Sequence, residues 1–130
     1  MITAVASPAG AKPDPKPPKP KLELLTVNER GAVEKQAIKV LVRAKKGAEV
    51  VARARVVVDG YPDDFPFGLG PERKPLKNRQ AKIRFPLSAR KVELIEFAAD
   101  TCRGTSITVE ATVKKRTGRI SRELGLPPDC

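Results

Sequence analysis

The sequence predicts an all-β sandwich of about six or seven antiparallel strands with one short crossover helix, and three observations carry that expectation. Apolar residues recur at every second position in several short runs, above all Val50–Val58 and Ile107–Val113, which is the period of a half-buried strand. The apolar set is mostly Val, Ala, Leu and Ile, with aromatics at only 4%, and β-branched side chains suit a pleated surface. Thirteen prolines and nine glycines punctuate the chain too often for a helical bundle. With 130 residues, 40% of them hydrophobic, the chain has material for one modest core plus tails.

Residues 1–20 read as a Pro/Lys-rich tail or linker. The run Lys12-Pro13-Asp14-Pro15-Lys16-Pro17-Pro18-Lys19-Pro20 is too proline-dense for helix or sheet and favours polyproline II, a semi-rigid spacer. The domain spans 21–126, and 127–130 is a short tail. Leu22–Val27 suits a first strand, and Asn28-Glu29-Arg30-Gly31 has the composition of a turn. Ile38, Val40, Val42 and Ala44 alternate with a mostly polar set, and Lys45-Lys46-Gly47 makes a tight connection. In the third strand Val50, Ala52, Ala54, Val56 and Val58 face one way while Arg53 and Arg55 face the other. A slip by one residue would bury both arginines, so the register is well specified.

Asp59–Arg73 reads as a long irregular loop, and Lys74-Pro75-Leu76-Lys77 as a short edge strand. Ala81, Ile83 and Phe85 alternate with Lys82 and Arg84 until Pro86. Ser88 suits an N-cap, and Val92, Leu94, Ile95, Phe97 and Ala98 after it suit the one helix. Ile107, Val109, Ala111 and Val113 then alternate with Thr108, Glu110, Thr112 and Lys114, a strand with one wet face. Thr117-Gly118 reads as a turn into a weaker last strand that Pro127-Pro128 ends.

This number and spacing of short strands point to a sandwich of the immunoglobulin-like kind. The chain has no Trp and both cysteines fall late, so the antibody subtype is excluded. The run Gln36–Ala44, the later Arg84-Phe85-Pro86-Leu87-Ser88, and Cys102-Arg103-Gly104 before Ile107-Thr108-Val109 resemble immunoglobulin-like repeat modules of secreted proteins of the actinobacterial type, over residues 22–122. The resemblance implies a spacer, adhesion unit or accessory domain without a shared active site. The long 59–73 segment and the short final strand depart from that pattern.

Net charge is +11, which attracts polyanions: nucleic acid, anionic lipid headgroups or acidic wall polymers. Histidine is absent, removing the commonest general base and metal ligand. No nucleophile–base pair, phosphate-cradling glycine loop or metal-ligand cluster is legible, so the sequence implies neither an enzyme nor a cofactor. No run reaches the roughly 18–20 apolar residues that span a bilayer. Ala4-Val5-Ala6 has the small-x-small form of a signal-peptidase site but lacks a basic and a full apolar region before it. It reads as a truncated signal or as ordinary tail. Cys102 and Cys130 could form one disulfide in an oxidising compartment, or remain two thiols.

Three sets of residues are binding candidates. Tyr61, Phe65 and Phe67 could form an aromatic patch for a protein or sugar ring, or fold back as a lid over the core. Arg53, Arg55, Lys82 and Arg84 could form basic strand faces for phosphates, or a solvated surface that keeps strand edges apart. Asp59, Asp63 and Asp64 carry oxygen ligands, but their spacing misses that of a calcium loop; a solvated acidic turn is the simpler reading. The sequence therefore predicts an extracytoplasmic binding or spacer module whose partner is a protein or an anionic envelope polymer. A basic nucleic-acid-binding protein and a carbohydrate-binding accessory domain are the alternatives.

Overall fold

The structure, a computed structural model, describes residues 18–60 and 62–130. The tail up to residue 17, with Ala4-Val5-Ala6, and Tyr61 lie outside the described residues. Seven strands and two helices follow in the order β1 (Lys21–Leu24), α1 (Glu29–Lys35), β2 (Ala37–Arg43), β3 (Glu49–Val58), β4 (Phe65–Pro75), β5 (Gln80–Pro86), α2 (Ala89–Asp100), β6 (Thr105–Val113) and β7 (Arg116–Leu124). They form two antiparallel sheets, β1-β2-β5 and β4-β3-β6-β7.

The two-residue alternation places the core where it was expected. On β3 Val50, Ala52, Ala54, Val56 and Val58 are buried and Arg53 and Arg55 exposed; on β6 Ile107, Val109, Ala111 and Val113 are buried. They meet Ile38, Val40 and Val42 of β2 and Ala81, Ile83 and Phe85 of β5 in one cluster. Aliphatic side chains fill nearly all of this interior, and Phe85 is its one fully buried aromatic among the described residues. Close-packed interiors tolerate little change of volume. Gly118 shows this at the sandwich edge. A Cβ there would run into the Pro20 carbonyl and Leu22 Cδ1, because the start of β1 lies directly over β7.

Four sequence expectations are corrected. Asn28–Gly31 is not a turn: Asn28 caps α1, its side chain accepting a hydrogen bond from the Gly31 amide at 2.8 Å. Asn serves turns and N-caps alike, and the composition could not separate them. The chain thus has a second helix, which Gln36 ends in the left-handed region. Most of the expected 59–73 loop is strand β4, paired with β3 from Phe65 to Pro75 across an irregularity opposite Ala52–Ala54. Its prolines are tolerated because β4 is an edge strand, where a missing N–H costs no ladder bond. Finally, Thr117 and Gly118 lie inside β7, and the turn is Lys114-Lys115.

Ser88 caps α2 as expected, accepting from the Lys91 amide. The helix buries Ile95, Ala98 and Ala99 and crosses from the first sheet to the second. Arg30 of α1 meets Asp100 of α2 at 2.9 Å. After α2, the Cys102 and Cys130 sulfurs stand at a bonding distance of 2.04 Å, with their Cα atoms 5.6 Å apart. The C-terminal segment is thereby stapled to the helix end. No helix among the described residues is long and apolar enough to cross a membrane.

Candidate functional site: a basic end of the sandwich

The strand register decides where each connection lies. Lys21 pairs with Arg43, and Arg43 with Gln80, so the start of β1, the end of β2 and the start of β5 share one end. Glu49 pairs with Pro75, and Val51 with Thr112, which brings the start of β3, the end of β4 and the β6–β7 turn to that same end. Three connections meet there: 44–48, 76–79 and 114–115. Every charged residue in them is Lys or Arg: Lys45, Lys46, Lys77, Arg79, Lys114 and Lys115. Gly47 lies where a Cβ would meet Val113 and Leu76 at closest approach and the Lys114 stem at 3.8 Å, so these loops touch.

The opposite end is built from α1, α2, the 59–64 connection and the C-terminus. It carries Glu34, Asp59, Asp63, Asp64, Glu93, Glu96, Asp100 and Asp129, interspersed with fewer cations. The two ends therefore differ in sign, one with wholly cationic connections and the other predominantly acidic, while the strand faces between them carry a further excess of Lys and Arg. Such segregation creates a field that focuses on anions approaching from one side, and it is screened over about 8–10 Å at physiological salt.

Within the basic end is a cleft of about 280 Å³ whose cations are Lys19, Lys21, Arg43, Lys45 and Arg79. One carboxylate, Glu23, touches this group, 4.0 Å from the Arg43 guanidinium and with both side chains exposed; such a contact neutralises little. The cleft wall is held by backbone bonds. The Ala44 amide donates to the Arg79 carbonyl at 2.9 Å, and Lys77 and Gln80 exchange bonds across the Asn78-Arg79 turn at 2.8 and 3.1 Å.

Both two-residue turns at this end have an unusual composition. Asn78 and Arg79 have φ of 54° and 63°, and Lys114 and Lys115 have 49° and 64°. Two-residue turns with both central φ positive normally take Asn-Gly. A bulky cation at the second position occupies the left-handed region at a cost of about 1 kcal/mol or more. At each turn this chain carries a cation where glycine would be the relaxed choice.

The residues singled out from the sequence fall elsewhere. Arg53 and Arg55 lie on the outer face of the β4-β3-β6-β7 sheet, and Lys82 and Arg84 on the outer face of the β1-β2-β5 sheet. The structure does not bring the two pairs together. Lys82 instead accepts a hydrogen bond at its carbonyl from Lys74 Nζ at 2.7 Å, which bridges the two sheets. Phe67 packs against the core beneath Lys91, whose Nζ is 5.6 Å from the ring centroid and donates to the Gly68 carbonyl at 3.1 Å. Phe65 meets Phe97 of α2 edge-on, with ring centroids 6.5 Å apart. Both rings serve to dock β4 on α2, and Phe65 and Phe97 remain partly exposed. Asp59, Asp63 and Asp64 gather no group of three metal-binding side chains among the described residues.

At the far end, the buried carboxyl of Glu29 is a feature the sequence did not signal. It is fully buried; one oxygen accepts a hydrogen bond from the Thr105 hydroxyl at 2.5 Å, and the other has no partner among the described residues. Burial pushes its pKa up, against the lowering effects of the Thr105 bond and the Arg30 charge. Its partner Thr105 lines a small cleft of about 220 Å³, but the Glu29 side chain itself is closed off from solvent, as a carboxyl with a structural role is.

No protein-family model matches the chain, and no curated protein is significantly similar to it.

Proposed function

We propose that the chain is an extracytoplasmic immunoglobulin-like binding or spacer module that docks end-on to an anionic envelope polymer. The observation that carries this reading is the convergence of wholly cationic connections at one end, with predominantly acidic helices and connections at the other. The immunoglobulin-like reading is supported by the strand order. The first, second and fifth strands form one sheet, and the third, sixth and seventh the other, as in the constant-type arrangement; here the fourth strand joins β3 instead of β5. The bonded cysteine pair supports an oxidising compartment, since such bridges seldom persist in cytosol. A nucleic-acid reading draws on the same charge, but base recognition in single strands uses exposed aromatic platforms. The described aromatics Phe65, Phe67, Phe85 and Phe97 all lie toward the acidic end or inside.

The test is binding of the oxidised full chain to a purified anionic wall polymer across a salt series. The parent binds with an affinity that falls as salt rises. The variant Lys45→Glu/Lys46→Glu/Lys114→Glu/Lys115→Glu loses binding, while Arg53→Ala/Arg55→Ala keeps it. Equal binding by the parent and the charge-reversed variant would refute the proposal.

A further inference from the structure

Resting on that reading, the geometry points to something more specific than a diffuse basic surface. We propose that the cleft between Arg43, Lys45 and Arg79 is a phosphate-binding subsite, and that its occupant is a phosphodiester unit of a base-free polymer.

The first argument is convergence. Lys19 and Lys21 from the start of β1, Arg43 and Lys45 from the end of β2, and Arg79 from the β4–β5 connection line one concavity, although they come from separate parts of the sequence. Like charges so gathered repel one another, and a bound anion relieves that repulsion. A group carrying several acceptor oxygens suits the set, because Arg43 and Arg79 each present a planar fork that can hold two oxygens of one phosphate, while the lysines act as point charges.

The second argument is independent of charge. Arg79 occupies the second left-handed position of its turn, where glycine would relax the backbone. Arg79 held in this conformation is one of the residues that line the cleft. Strain retained beside a cleft is characteristic of functional positions. Lys115 occupies the equivalent position of the β6–β7 turn but does not line the cleft. It is therefore a matched comparison, with a similar left-handed backbone and the same charge, part of the docking end but outside the subsite. The third argument concerns the occupant. The described aromatic residues lie away from this end, so no described aromatic ring there offers a base the stacking platform that single-strand binders use.

The experiment compares the parent, Arg79→Gly and Lys115→Gly as oxidised full chains, each titrated with inorganic polyphosphate, single-stranded DNA of equal phosphate number, and dextran sulfate. Each variant removes one charge and places glycine where the turn favours it, so both fold at least as well as the parent, which a thermal melt verifies. The expected result is a loss of about fivefold in polyphosphate affinity for Arg79→Gly, the scale of one partly solvated charge contact, and under about twofold for Lys115→Gly. Amide shifts induced by polyphosphate centre on residues 43–45 and 78–80.

Equal losses in the two variants would overturn the subsite and leave end-on polyanion docking standing. Tighter binding of the DNA than of polyphosphate would reassign the occupant to nucleic acid. Tighter binding of dextran sulfate, with the same Arg79 dependence, would reassign the anion to sulfate. Failure of the parent to bind any of the three would remove the subsite together with the docking reading on which it rests.

Discussion

Opening the Cys102–Cys130 bridge should cost the fold a large part of its stability, and the size of the loss follows from the structure. The bridge closes a loop with a sequence separation of 28. Restricting an unfolded chain by a loop of that length is worth about 3–4 kcal/mol on the chain-entropy model. At roughly 2 cal/mol/K of unfolding entropy per residue, a folded unit of about 110 residues shifts by about 4 °C for each kcal/mol. The expected fall in Tm is therefore about 15 °C. Circular dichroism melts of the oxidised chain, the dithiothreitol-reduced chain and Cys102→Ser/Cys130→Ser measure it. The last two should coincide, and far-UV spectra below the transition should match that of the parent, because the core cluster contains neither cysteine. Polyphosphate binding well below the transition should be unchanged, since the bridge lies at the end of the sandwich away from the cleft. A fall of less than about 5 °C would refute the reasoning: the C-terminal segment would then constrain the unfolded chain far less than its span implies.

Two further outcomes test the core and its buried carboxyl. Because the folded-state pKa of Glu29 is raised above its ordinary 4.5, the protonated form is favoured in the fold. Its contribution to stability is fully present below that ordinary value and is lost as pH rises through the folded one. Urea denaturation of Glu29→Gln at several pH values should show a flatter decline from acid to neutral pH than the parent; identical slopes would show that the carboxyl is effectively solvated. In Gly118→Ala, the new methyl meets the Pro20 carbonyl and Leu22, a backbone collision that should cost about 1–3 kcal/mol in the same assay, and no loss would mean that β1 does not lie over β7.

Much of the architecture was legible because burial on one face of a strand is a local pattern. Val50–Val58 and Ile107–Val113 show their inward rows without knowledge of any partner, and Ser88 followed by Val92 and Ile95 shows a capped helix. Legibility failed where one composition serves two structures. Asn28-Glu29-Arg30-Gly31 suits a turn or a helix start, and the helix was decided by the Gly31 amide reaching the Asn28 side chain and by the burial of Ala32. Phe65–Pro75 looks like a loop because of its Pro and Gly content. It becomes a strand because β3 offers a free edge and the prolines turn their missing donors outward.

By itself the sequence determined the alternation that makes two sheets close over an aliphatic interior, the excess of positive charge, and the absence of histidine. It did not determine which charges act together. Arg53 and Arg55 are prominent in the sequence yet face away from Lys82 and Arg84, because their strands belong to opposite sheets. Lys19, Arg43, Lys45 and Arg79 form no motif, yet they line one cleft because antiparallel register returns the chain repeatedly to the same end. Side-chain facing is a property of neighbouring residues, whereas the gathering of like charges at one end depends on long-range strand pairing, which only the folded chain supplies.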